Sequence, residues 1–168
     1  MTTKNELRTL ARARLKDAQI LFTAKRYDAA TYLCGYAVEL ALKARICQTL
    51  GWTFFPETNK EFILFTCEII EKYIKSKRFQ KLYNITPNDL CDFYEKYYQN
   101  TIFLKIHKLD TLLKFSGVED KIQNQFFAEW SIVEIWNPEI RYKPIGLQTR
   151  KTADNMLTST KVLLSALK

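Results

Sequence analysis

Glycine and proline are scarce, with 4 of each in 168 residues. A sandwich or barrel needs a turn signal every ~10 residues, so this shortage argues against a many-stranded β fold and favours long helices. Histidine is rarer still, at one, His107. The four cysteines, Cys34, Cys47, Cys67 and Cys91, stand far apart with no C-x-x-C pair. The ligands of a structural zinc site are therefore missing, and no metal or other cofactor is expected. Free thiols in a reducing compartment are the simpler reading. No stretch reaches the ~18 consecutive apolar residues of a membrane span, and MTTKNELRTLARARLKD becomes charged and helical too early for a secretory signal. The expectation is a cytoplasmic protein that does not enter a membrane.

Apolar and aromatic residues, by contrast, are plentiful. At 47% hydrophobic and 14% aromatic the chain is globular rather than disordered, and residues 1–168 suffice for a single domain with its own core. Lys and Arg total 26 against 18 Asp and Glu, a net charge of +8. Such a surplus favours polyanionic partners through counterion release. Nucleic acid is the first class to consider.

The segment from Arg26 to Gly51, RYDAATYLCGYAVELALKARICQTLG, reads as the central buried helix. Leu33, Tyr36, Ala37, Leu40, Ala41, Ala44 and Cys47 recur at three- and four-residue spacing. Asp28 is placed to cap its first turn, Tyr27 to form a hydrophobic staple and Gly51 to end it. Small residues, Gly35 among them, would let neighbouring elements approach closely. Glu39 and Lys43 lie one turn apart on this apolar helix, either as a solvated ion pair or as a pair facing a cleft that holds a partner's charge.

A first helix is expected over about 5–24, with Leu7, Leu10, Ala11, Leu15, Ala18, Leu21 and Phe22 on one stripe and Arg8, Arg12 and Lys16 on the other side. It forms an antiparallel hairpin with the central helix. Thr58 and Glu61 make a capping box for a helix running to about residue 77. That helix ends in Lys72, Lys75, Lys77, Arg78 and Lys81 among Tyr73, Phe79 and Tyr83, which reads as a solvated cationic end or as a phosphate-contacting patch. Thr86 and Pro87 start another helix, carrying Leu90, Cys91, Phe93, Tyr94, Tyr97 and Tyr98. Next comes a short helix closed by Gly117 with His107 at its entrance, as a cap or hydrogen-bonding anchor. A helix over 118–136 should bury Ile122, Phe126, Phe127, Trp130 and Val133 and stop before Pro138. The loop NPEIRYKPIG, with Arg141 and Tyr142 between prolines and a glycine, has the rigid shape on which site residues tend to sit. A final helix is expected over about 152–167.

The hairpin L-x-x-L-A-x-x-R-L-x-x-A followed by R-Y-D-x-A-x-Y-L-x-G-Y-A-V-E-L-A-L-K-A resembles the HEPN family of prokaryotic α-helical domains. The likeness extends to I-H-K-L-D-T-L-L over 106–113 and W-N-P-E-I-R-Y-K-P over 136–144. It implies an all-α fold, an up-and-down helical bundle of HEPN type, with about 57–99 as an inserted helical segment and residues 1–168 as one HEPN-like domain. It also implies a symmetric dimer in a family rich in RNA-cleaving toxins and antiviral effectors. In active members an Arg and a His four to six residues apart act at the dimer cleft without metal. Arg141 matches the Arg, but Gly146, Leu147 and Gln148 occupy the places where the His could fall, and none of them titrates near neutrality.

Three readings follow from the resemblance. The first is a dimeric domain, in a toxin–antitoxin or defence setting, that binds RNA or a nucleotide in a basic cleft containing Glu39, Lys43, Arg141 and Lys143, without the family's Arg/His cleavage. The second is an active metal-independent ribonuclease in which Arg141 stabilises the phosphorane and His107 or Tyr142 replaces the missing histidine. The third is a non-catalytic scaffold for a protein such as a nucleotidyltransferase-type antitoxin. The site expectation common to the first two is that Glu39, Lys43 and Arg141 meet around a shared hollow.

Overall fold

In a computed structural model the described residues are 2–56, 58, 61, 65 and 107–168. The chain divides into two compact units, Thr2–Phe55 with His107–Lys168, and Pro56–Ile106. Of the second, the Thr58–Glu61 capping box is in place: the Glu61 amide donates to Thr58 Oγ1 at 3.2 Å and the Thr58 amide to Glu61 Oε2 at 3.1 Å. The basic run 72–81, the helix expected from Thr86 and most of the expected insertion lie outside the described residues, as do Cys67 and Cys91.

The first unit is built on a helical hairpin. A Thr3–Glu6 capping box opens α1 (Lys4–Thr23), with the Glu6 amide donating to Thr3 Oγ1 at 3.2 Å and the Thr3 amide to Glu6 Oε2 at 2.8 Å. The turn out of α1 carries no glycine. Lys25 adopts φ 59° instead, and the amides of Lys25 and Arg26 return to the carbonyls of Phe22 and Leu21 at 3.0 and 2.9 Å. These two bonds satisfy the last carbonyls of α1 and reverse the chain.

Helix α2 (Tyr27–Leu50) follows at once and ends at Gly51, whose φ of 70° is left-handed. It packs against α1, against α3 (Leu109–Ser116) and against α6 (Arg150–Ala166). Partners on several sides explain why Ala30, Cys34, Ala37, Val38, Leu42, Ala44 and Cys47 are nearly inaccessible. The Phe22 and Tyr27 rings meet at 5.6 Å across the hairpin turn. Thr2–Thr3 (β1) and Phe54–Phe55 (β2) form a minimal antiparallel ladder, and Trp52 is buried between the end of α2 and this ladder. The all-α architecture expected of the sequence is the one observed.

Gly117, with φ 71°, closes α3; a Cβ there would lie 2.7 Å from Thr49 Cγ2, and the Thr49 hydroxyl donates to the Ser116 carbonyl at 2.6 Å. The single helix expected over 118–136 is two, α4 (Glu119–Gln125) and α5 (Phe127–Val133), broken where Phe126 takes φ −135°. Phe127 is 61% exposed, so only Ile122, Trp130 and Val133 of the expected set are fully buried. A Thr149–Thr152 capping box starts α6, slightly earlier than the sequence indicated.

Candidate functional site

The segment W-N-P-E-I-R-Y is legible residue by residue. Trp136 is buried, and its indole N–H donates to the Tyr32 carbonyl at 3.1 Å. Its ring lies against Gly35, where a Cβ would come within 2.1 Å of Trp136 Cγ, so glycine is needed for this close approach. Asn137 then caps a short 3₁₀ helix, Pro138–Tyr142, by accepting from the Glu139 amide at 2.9 Å, with Pro138 in the position where its missing N–H costs nothing. Arg141 and Tyr142 sit on the last turn of that helix.

Asp28 does not cap α2. Its carboxylate accepts from the amides of Gly146 at 2.8 Å and Gln148 at 2.9 Å and so ties the 144–148 loop to the start of the helix. Partial burial pushes the Asp28 pKa up, but the amides of Gly146, Gln148 and Leu147 together outweigh it and hold the carboxyl below its ordinary value. Gly146 and Gln148, two of the three positions at which the family's histidine could fall, are thus backbone donors to an aspartate in this chain.

Arg141 interacts with the Tyr32 side chain and lies 4.8 Å from the Tyr142 ring centroid. Both tyrosines raise its pKa, Tyr32 most, so the guanidinium is a permanent cation. It borders a cleft of about 440 Å³ that also takes in Lys25, Arg26 and Asp28. Asp28 is the one acidic residue lining this cleft among the described residues, and both its oxygens are engaged by the loop. Three cations and one ionised carboxylate therefore border the space, which leaves it net positive. Lys143 is exposed just beyond Arg141, its amide bonded to the Ile140 carbonyl at 3.2 Å.

Glu39 and Lys43 form a second cluster. Glu39 is only 1% exposed, and its Oε1 accepts from Lys43 Nζ at 2.6 Å. His107 Nδ1 faces both Glu39 oxygens at 3.1 Å. The pair is therefore a buried carboxylate held by two donors and not a solvated ion pair. His107 does not cap α3, whose N-cap is Lys108; it anchors the chain entering α3 to the middle of α2. Lys43 Nζ also lies 5.3 Å from the Phe55 ring. The His107 side chain is 47% exposed, which leaves the far edge of its ring accessible.

Glu39, Lys43 and His107 are thus brought together, whereas Arg141 is not among them. The Arg141 cleft includes neither Glu39 nor Lys43, so the shared hollow expected of the sequence is replaced by two places on one helix. Tyr32, Tyr36, Glu39 and Lys43 follow a 4-3-4 spacing and form a single stripe of α2. Arg141 meets this stripe at Tyr32 and His107 meets it at Glu39, about 10 Å further along the axis at 1.5 Å per residue. The Tyr32 and Tyr36 rings stack at 6.5 Å between the two. Sequence reasoning missed Tyr32 and the true role of Asp28, although Tyr32 falls in register with Glu39 and Lys43.

Both thiols are buried, and burial pushes Cys34 and Cys47 each up to about 11, which disfavours the thiolate. Among the described residues no group of three or more His, Cys, Asp or Glu side chains could hold a metal ion. No helix among them is long and apolar enough to cross a membrane.

The family model of the HEPN domain matches residues 5–101, more than half of the chain. The chain belongs to the HEPN family. Its match takes in both α1 and α2, hence Tyr32, Glu39 and Lys43, and ends before His107 and Arg141. No curated protein and no solved structure matches this HEPN chain. Membership points to a role connected with nucleotides or RNA.

Proposed function

We propose that this HEPN domain binds RNA or a nucleotide, as a homodimer, with Arg141 as the phosphate-gripping residue. The observation that carries the reading is the Arg141 cleft itself: a guanidinium oriented by Tyr32 and Tyr142, beside Lys25 and Arg26, with Asp28 already engaged by the loop. A guanidinium so placed offers paired donors to a phosphate, and the exposed Tyr142 ring offers a surface for a base. Lys143 extends the positive rim, while Lys43, further along α2, is paired with Glu39 and would reach a phosphate only by leaving that pair. The homodimer accords with the family and with exposed apolar side chains, Ile135, Ile145 and Leu147, exposed by 79, 88 and 54%, of which the last two also line the cleft. Their burial against a second copy would place two Arg141 clefts together. A toxin–antitoxin or defence setting, with a nucleotidyltransferase-type antitoxin as the neighbouring partner, accords with the family.

A second reading, metal-independent RNA cleavage, is favoured by the Glu39–His107 pair. A carboxylate at Nδ1 keeps a proton on that nitrogen, so the neutral ring presents Nε2 as a base. Nε2 could take the proton of a ribose 2′-hydroxyl while Arg141 of the same or the second subunit stabilises the phosphorane; Tyr142 is the other proton-transfer candidate.

Incubation of the purified protein with total RNA in EDTA separates these readings. RNA retained uncut supports binding, with Arg141→Ala releasing it. Degradation that Arg141→Ala and His107→Ala each abolish supports cleavage. Absence of any RNA retention at low salt leaves a protein scaffold.

A further inference from the structure

We propose that the groove between α1 and α6 is a docking site for an acidic amphipathic helix of a partner protein. The groove measures about 590 Å³ and is lined by residues of α1, α2, α6 and the two that follow α6. Its floor is apolar, formed by Ala11, Leu15, Ala41, Leu164 and Leu167, while Arg8 and Arg12 stand along one edge and Lys161 and Lys168 along the other. Among the described residues no acidic and no aromatic side chain lines it. None of its lining residues is shared with the Arg141 cleft or with the Glu39–His107 pair.

These features select the occupant. A helix laid in a groove presents an apolar stripe to the floor and its flanking positions to the two edges. With cations on both edges, the flanking positions complement the groove when they are Asp or Glu. Single-stranded nucleic acid would supply the negative charge but would make no use of an apolar floor. Lys161 also borders a smaller depression with Lys121 and Phe126, which continues the cationic edge along α6 and gives a helix more than one turn of contact.

The test uses the full chain and a labelled 15-residue helical peptide with Leu at i, i+3, i+4 and i+7 and Glu at the flanking positions. Two controls accompany it, a composition-matched scramble that disperses the leucines and a U-rich single-stranded RNA. Arg12 and Lys161 are exposed, so Arg12→Glu with Lys161→Glu leaves the core intact; Arg12→Gln with Lys161→Gln is the milder second variant. The expected result is that the amphipathic peptide binds more tightly than the scramble, that the Glu variant weakens it by about tenfold or more, and that a peptide with Lys in place of Glu recovers binding to that variant. Arg141→Ala should leave peptide binding unchanged. Equal binding of the scramble overturns the proposal, as does unchanged binding by both variants. A loss confined to the RNA overturns it too, by assigning the groove to nucleic acid.

Discussion

Gly35 and Trp136 occupy each other's space: the indole of one lies where the side chain of any residue but glycine would be at the other. This contact, with the indole bond to the Tyr32 carbonyl, fixes the start of the 3₁₀ helix that carries Arg141. Gly35→Ala should therefore act at a distance. Overpacking of this kind costs about 1–3 kcal/mol, and displacement of Trp136 should weaken phosphate binding as well. Urea denaturation and RNA titration of the same variant check both, with a structural role alone predicting only the first.

Glu39 is buried between Lys43 and His107, so removing one donor leaves a desolvated carboxylate short of a partner. Lys43→Ala should destabilise the protein by about 2 kcal/mol or more, while Lys43→Met combined with Glu39→Gln should recover much of the loss. A double-mutant cycle read by denaturant unfolding gives the coupling. Additive losses would show that the two side chains stand independently.

Asp28 gives the first unit an acid-sensitive tie. Its carboxyl has a lowered pKa in the folded chain, so the stability it contributes is present above its unfolded value of about 3.9 and is lost as the pH falls through the lower folded value. Asp28→Asn should be less stable than the natural chain at neutral pH, and the gap should narrow below about pH 4. Thermal unfolding of the two proteins across pH 2.5–7 measures it.

Lys25 holds a left-handed conformation that costs a residue with a Cβ about 1 kcal/mol or more. Lys25→Gly relieves that cost while loosening the unfolded chain, and a net gain of up to about 1 kcal/mol is expected from denaturant unfolding. Because Lys25 also borders the Arg141 cleft, the same variant should bind RNA somewhat less tightly.

The helices were legible because their signals are local. The Thr58–Glu61 cap, the Gly51 and Gly117 stops and the apolar periods of α1, α2 and α6 all act within a few residues, whereas the Thr3 and Thr149 caps were not read. Two features were not local. Asp28 looks like a helix cap in sequence, but its partners lie about 120 positions away at Gly146 and Gln148. His107 looks like the entrance to α3, yet its partner is Glu39 on α2. The break at Phe126 was hidden because no proline or glycine marks it in the sequence. Site residues were found by type, and their grouping was not: charge and motif pointed to Glu39, Lys43, His107 and Arg141, while only the fold shows three of them together and the fourth two turns away at Tyr32.

The central claim is that Arg141 grips phosphate. Its most direct measurement is the binding of a labelled single-stranded RNA in EDTA, at several salt concentrations, to the natural chain and to Arg141→Ala. The expected result is retention of the RNA with affinity falling as salt rises, and a loss of about tenfold or more in the variant. Equal affinity of the two proteins for RNA at every salt concentration would contradict it.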